Sequence, residues 1–261
     1  MNFAMSRVFP GAAWATLLLT GCVGLQPSHL GPIVTDRPDF TESTDVVPSG
    51  MLQIEGGYTF SRAGGERAHT VGEILIRAPI ARRLEFRAEP GSYVSVAGAE
   101  SEFEDGGAGF KVELVQGAQR PGRFSPAVSL LAGTSFPRKF GRGAYQPEAK
   151  LAIALDLTER FSFASNLNYA YLKEANRRFN QYSASASLAA GVGEKTGSYL
   201  EYFIFNRESI GGSASGYLNG GLTYQFTTNF QADARIGMGL VGRDAGGESR
   251  YFMGIGLARR W

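Results

Sequence analysis

The sequence predicts an all-β protein: a transmembrane, antiparallel up-and-down β-barrel of about twelve strands, preceded by a cleaved signal peptide. Three observations carry this. Apolar and polar residues alternate from Met51 to the C-terminal Trp261. The connections between the alternating segments are short and long by turns. The chain also opens with a stretch that has the character of an export signal.

Residues 1–21 form that signal. Arg7 is the only charge before the apolar stretch from Val8 to Leu19, which is too short to span a bilayer as a helix. Leu19-Thr20-Gly21-Cys22 has the pattern at which bacterial lipoproteins are cleaved and acylated, so Cys22 is a candidate lipidation site. It is the only cysteine among 261 residues, which rules out an internal disulfide. An ordinary cleaved signal with a chance cysteine near the cut is the competing reading.

Residues 22–49, rich in Pro, Asp, Ser and Thr, read as an extended periplasmic lead-in. The barrel takes residues 50–261. In its first segment Leu52, Ile54, Tyr58 and Phe60 fall on one face, and Gln53, Glu55 and Thr59 on the other. Phe161, Phe163, Leu167, Tyr169 and Tyr171 alternate with Ser162, Ala164, Asn166, Asn168 and Ala170 in the same way. Near the end, Ile236, Met238 and Leu240 alternate with Arg235, Gly237 and Gly239. Twelve segments result, at 50–61, 70–80, 82–95, 106–116, 124–136, 145–157, 159–172, 180–191, 197–207, 214–226, 229–241 and 249–261. The number is even, as in bacterial barrels, and most segments reach the roughly 9–11 residues that a tilted strand needs.

The links agree with this count. Ile80 to Arg82, Thr158 to Arg160 and Thr227 to Asn229 are short. Arg62 to His69, Val96 to Asp105, Arg138 to Tyr145, Lys173 to Gln181, Asn206 to Ser213 and Gly242 to Glu248 are long and polar. With a periplasmic start, the short set falls inside and the long set outside; Gln116 to Arg123 is long for a periplasmic turn. A soluble β-sandwich also alternates, but the recurrent Tyr and Phe near strand ends suit the aromatic girdles of a membrane barrel. The 35 glycines and 18 phenylalanines fit many short strands and turns. Lys and Arg (26) nearly balance Asp and Glu (24), so nothing argues for a nucleic-acid partner.

Two places carry a family resemblance. Thr35-Asp36-Arg37-Pro38-Asp39-Phe40-Thr41-Glu42-Ser43, with Val47-Pro48-Ser49-Gly50 and Met51 to Tyr58, resembles the opening of a bacterial family named for the meta-cleavage pathway of phenol degradation. Tyr251 to Trp261 resembles the C-terminal targeting strand of outer-membrane proteins, although Arg259 replaces an apolar residue and Trp261 the commoner Phe. The resemblance implies residence in the outer membrane of a Gram-negative bacterium, contact with its lipid and the barrel-assembly machinery, and a link to uptake of aromatic or other hydrophobic compounds. A lipid-modified cysteine is not usual in that family.

Candidate functional residues lie on the polar faces. Glu55, Glu73, Arg77, Arg83, Glu85, Arg87, Glu89, Lys111, Glu113, Lys150, Asp156, Glu201, Asp233 and Arg235 are expected to face the lumen, because Arg or Lys on the lipid face costs roughly 2–4 kcal/mol at midplane. In the lead-in, Asp36, Asp39 and Glu42 around Arg37, with Pro38 holding the chain extended, form either a charged network that enters the barrel or a solvated segment. The expected function is an outer-membrane pore for passive uptake of small molecules, hydrophobic or aromatic ones included. The alternatives are a closed structural barrel whose outer loops bind a partner and, less favoured, a lipid-modifying enzyme using His69 in an outer loop beside Thr70. No cofactor is expected, and no Cys or His cluster suggests a metal.

Overall fold

The computed structural model describes residues 31–63, 65–117, 124–137, 144–241 and 251–261; Cys22, the signal segment and the start of the lead-in lie outside them. Fourteen strands are described: β1 (Gln53–Ala63), β2 (Glu66–Ala81), β3 (Leu84–Glu89), β4 (Tyr93–Val96), β5 (Glu102–Phe103), β6 (Gly106–Val115), β7 (Ala127–Phe136), β8 (Gln146–Asp156), β9 (Phe161–Glu174), β10 (Arg177–Gly191), β11 (Thr196–Phe205), β12 (Ser215–Thr227), β13 (Phe230–Val241) and β14 (Tyr251–Arg260). Twelve of them close a barrel. The order runs from β1 through β14 down to β6, then β3 and β2, and β1 pairs again with β2. The closing β1–β14 seam runs from Gln53 opposite Arg260 to Arg62 opposite Tyr251. Leu52 and Trp261 extend it with two backbone hydrogen bonds of 3.0 and 2.9 Å. Closure removes every free edge from the lipid.

The outward set is apolar. Leu167, Ile236, Ile255 and Leu257 are each more than half exposed, a surface that only lipid can cover without penalty. One expected segment is broken. β3 and β4 are two pieces of a single path interrupted at Pro90-Gly91-Ser92, where Gly91 has φ +86° and passes too close to the Glu104 backbone for a side chain. β3 completes the barrel beside β6, while β4 and β5 form a flap against the far half of β2.

Two expected loops are corrected. Arg62 to His69 and Lys173 to Gln181 are mostly strand: β1 runs on to Ala63 and β2 starts at Glu66, and β9 and β10 turn at Ala175 and Asn176. The charged residues of these stretches therefore sit on strand tips rather than in loops. His69 therefore sits in β2. There it bonds through Nδ1 to the Tyr58 hydroxyl at 2.7 Å on the outward face, opposite Phe60. Thr70, the next residue, points to the other face, so the pair cannot work together.

Candidate functional site

A barrel of this size must fill or wet its interior, and here the chain before β1 fills it. The described lead-in, 31–52, is not an extended segment beneath the barrel. It bends at Asp36 and again at 38–41, and the Arg37–Pro38 peptide bond is cis. Of the two arrangements open from the sequence, the lead-in adopts the one inside the lumen, because its charges match the wall.

Alternation aims Glu55, Arg77, Glu85, Arg87 and Lys111 inward from β1, β2, β3 and β6, and all five are buried. A buried charge is costly unless paired and hydrogen-bonded. The wall itself supplies part of the pairing: Arg77 bonds Glu85 at 2.9 Å and Glu55 at 3.0 Å, and Arg87 reaches Glu85 at 3.2 Å. The lead-in supplies the rest. Asp36 meets Lys111 at 2.8 Å, Arg77 at 3.3 Å, and Arg87. Glu42 bridges Arg87 at 2.8 Å and Lys150 at 2.5 Å. Four carboxylates thus face four cations.

Main-chain groups of the lead-in are satisfied in the same way. Glu55 accepts the Asp36 amide at 3.0 Å, and Glu85 the Val47 amide at 2.8 Å. Lys111 donates to the Ser43 carbonyl at 3.0 Å, Arg77 to that of Asp45 at 2.8 Å, and Ser129 to that of Thr44 at 2.5 Å. On the opposite wall Glu201 accepts the amides of Phe40 at 2.9 Å and Thr41 at 2.7 Å, with Asn219 donating to it at 3.0 Å. Irregular backbone at membrane depth is tolerable because these partners replace water. We call residues 31–52 the plug.

Burial would push the Asp36 carboxyl up, but Arg77, Lys111 and Arg87 outweigh it and hold it well below the usual range. Glu42 likewise falls to about 2, because Arg87 and Lys150 overcome its burial. Asp39 moves the other way. Its burial, reinforced by the negative charge of Glu201, raises it well above the ordinary carboxylate range.

Arg37 occupies a slot made by small residues. Its guanidinium lies over Gly57 and Gly256, which face each other across β1 and β14; a Cβ on either would collide with it. It bonds Glu73 at 2.8 Å and stands 3.8 Å from Asp233. Glu73 is placed by a bulge in β2 opposite Glu55 and Gly57, where it adopts φ +42°, a conformation unfavourable for a side-chain-bearing residue. The bulge turns its carboxylate onto Arg37 and onto the Thr59 hydroxyl at 2.7 Å. Arg235 completes this group, donating to the Pro38 carbonyl at 2.8 Å.

The wall formed by β11, β12 and β14 is aromatic. Phe203, Tyr217 and Phe252 are buried there, with Phe40 of the plug and Phe205 packed on them. Phe40 stacks on Phe203 at 4.5 Å and Phe203 on Tyr217 at 5.0 Å, while Phe205 meets Phe40 edge-on at 5.3 Å. These inward aromatics were missed in reading the sequence, although the signal was present: Phe203 and Phe205 share the alternation of Glu201.

Space remains on both sides of the plug. Toward the loop end lies a cavity of about 330 Å³, bordered by Phe40, Glu42, Lys150, Phe203 and Arg235. Toward the turn end lies one of about 320 Å³, bordered by Thr35, Pro38, Tyr199 and Gln231. Asp39 borders both, with its carboxylate 3.5 Å from the Ser187 hydroxyl.

The remaining sequence-derived candidates lie at the margins. Glu89 is exposed beside the loop-end cavity. Glu113 is partly buried near the end of β6, Arg83 sits in the turn between β2 and β3, and Asp156 is exposed at the end of β8. These three take no part in the ion pairs between plug and wall. Trp261 is half exposed, with Arg259 5.3 Å from its ring.

The family model described as "Putative MetA-pathway of phenol degradation" matches residues 35–258, starting where the lead-in motif starts. Among solved structures, an outer membrane channel from Pseudomonas putida F1 aligns with a TM-score of 0.62 at 13% identity, covering 91% of this chain and 100% of that one. The NanC porin aligns at 0.53 and 11% identity over 80% of this chain and 98% of that one. The KdgM porin, solved in complex with disordered oligogalacturonate, aligns at 0.51 and 10% identity over 79% and 98%. Likeness at such identities is one of fold. No curated protein matches the chain by sequence. Matched from Thr35 almost to its C-terminus and folded as a closed barrel of the outer-membrane channel type, the chain belongs to the MetA-pathway of phenol degradation family.

Proposed function

We propose that the protein is an outer-membrane pore for passive diffusion of small molecules, aromatic ones included, with the short turns in the periplasm and the long loops outside. The observation that carries this reading is the pair of cavities on the two sides of the plug, both bordered by Asp39. A permeant entering at the loop end would pass between the aromatic wall and Lys150, then cross beside Asp39 and Ser187. The arrangement suits small, flat molecules: rings can exchange stacking on Phe203 and Phe40, while the charges of the plugged wall are already spent on one another. Kinship with channels of the same fold supports the pore, and the family's name supports aromatic cargo. The chain needs no energy source for such passage.

A closed structural barrel is the competing reading, favoured by the dense pairing of plug and wall. Single-channel recording of refolded protein in planar bilayers separates the two, with heat-modifiable gel mobility as the folding control. The expected result is small, stable conductance steps, enlarged severalfold by Asp39→Ala. A folded barrel that stays silent in the wild type and in Asp39→Ala would overturn the pore.

A further inference from the structure

Two hairpins at the loop end carry an arrangement that neither the plug nor the pore uses. Arg62 stands directly opposite Arg67 across β1 and β2. Lys173 stands directly opposite Arg178 across β9 and β10. Like charges placed opposite each other in a sheet repel, so each pair is a local cost. Both pairs point outward, away from the lumen. In the first hairpin the layer beneath is Phe60 opposite His69, then Tyr58 opposite Val71. In the second it is Tyr171 opposite Asn180, then Tyr169 opposite Tyr182, then Leu167 opposite Ala184. Each hairpin therefore climbs from lipid-facing apolar residues through an aromatic layer to a cation pair.

The acidic residues of the same tips point the other way. Glu66 lies opposite Ala63, one step from Arg67 and so on the inner face. Glu174 lies opposite Arg177 and accepts the Ile210 amide at 2.6 Å. Among the described residues, the ion pairs of the plug and the lumen wall include none of these four cations. Arg178 is instead held against the Tyr145 carbonyl at 3.1 Å and the Tyr171 ring at 4.9 Å. It is positioned without being neutralised.

We infer that Arg62 with Arg67, and Lys173 with Arg178, are two docking points for the phosphate groups of lipids in the outer leaflet. The level of the pairs selects the partner: immediately above an aromatic belt, the neighbouring material is lipid headgroup. A phosphate between two opposed cations turns repulsion into two charge-assisted contacts. The inference rests on the orientation proposed above, with the loop end outside, but not on the pore being open.

The test is native mass spectrometry of the refolded full barrel. The probes are a bisphosphorylated glycolipid, its dephosphorylated counterpart with the same acyl chains, and inorganic phosphate. The phosphorylated lipid is expected to be retained, up to two per barrel. Arg62→Gln with Arg67→Gln should lower the maximum to one, as should Lys173→Gln with Arg178→Gln. Each change should weaken retention about tenfold, the scale of one charge-assisted hydrogen bond. A turn-end control, Arg82→Gln with Arg160→Gln, should change nothing. Equal retention of the dephosphorylated lipid, equal loss in the turn-end control, or displacement by inorganic phosphate at matched concentration would each overturn the assignment. Conductance is read separately, so a silent barrel that retains lipid in this pattern would sink the pore and leave the docking points standing.

Discussion

The two walls of the lumen hold the same plug by opposite means. On one side Arg77, Arg87 and Lys111 grip Asp36 and Glu42 through ion pairs among side chains that are almost wholly buried. On the other, Phe203, itself stacked on Tyr217, receives Phe40 as a stacked ring, while Glu201 and Arg235 hold the backbone at Phe40, Thr41 and Pro38. The charged wall is specific and unforgiving, because each member left alone is a buried charge. The aromatic wall is permissive, because stacking accepts any flat partner. Passage would be expected where the grip is soft, and both cavities do reach the softer side.

The largest effect expected from this contrast is on the charged wall. Arg77→Met keeps bulk but leaves Glu55, Glu85 and Asp36 with one cation fewer. A loss of about 3–5 kcal/mol in unfolding free energy is expected, as for removal of one partner from a buried ion pair. Urea titration followed by heat-modifiable mobility reads it. A loss below about 1 kcal/mol, the scale of an exposed pair, would mean that water enters this wall and that the contrast fails.

Acid acts next. Glu42, held at about 2 against an ordinary 4.5, and Asp36, also held low, bind protons less readily in the folded state than in the unfolded one. The contribution of Glu42 is present above pH 4.5 and is lost as the pH falls from 4.5 toward 2, and that of Asp36 is lost as the pH falls below its ordinary 3.8. For Glu42 alone the span corresponds to about 3 kcal/mol as an upper figure. Asp39 has the reverse sign, since its raised value favours the folded state at low pH and costs stability as the pH rises through it. Burial raises Asp45 as well, but Asp36 and Glu42 are the carboxylates that pair the plug with the wall cations, so the plug is predicted to loosen in acid, seen as a fall in the urea midpoint and larger conductance steps below pH 4.5. A midpoint that climbed as the pH fell would show Asp39 to be dominant.

Much of this architecture was visible in the chain and some was not, for physical reasons. Alternation fixes the faces of β7 to β14 almost residue by residue, because a strand one residue out of register would expose every Leu and Ile to the lumen. The same rule misleads at the tips, where charged residues such as Arg62, Arg67 and Lys173 signal polar surroundings, which a strand tip meets just as a loop does. It is interrupted at Glu73, where the bulge resets the alternation while the carboxylate still reaches the lumen. The pairing of Asp36 with Lys111, 75 residues apart, has no local signature at all. Composition announces that the lead-in is charged; only the closed barrel decides which cations it meets. The inward Phe203 and Tyr217 were legible by parity, and were hidden by the habit of assigning aromatics to the lipid belt.

The smallest of these effects tests the permissive wall itself. Phe203 touches Phe40 on one side and Tyr217 on the other, so Phe203→Ala removes both stacks. A fully packed Phe→Ala change costs roughly 3–5 kcal/mol. Here the ring also borders the loop-end cavity, where water can enter the space left behind, and about 2 kcal/mol is the better expectation. The plug should remain docked, because Glu201 still accepts the amides of Phe40 and Thr41. Stability should therefore fall less than in Arg77→Met, while unit conductance rises and discrimination between benzene-ring and aliphatic solutes of equal size declines in liposome swelling. Phe203→Leu separates bulk from stacking: it should restore most of the stability and little of the discrimination. If Leu restores both, the wall is merely apolar filling, and the two walls differ in charge alone.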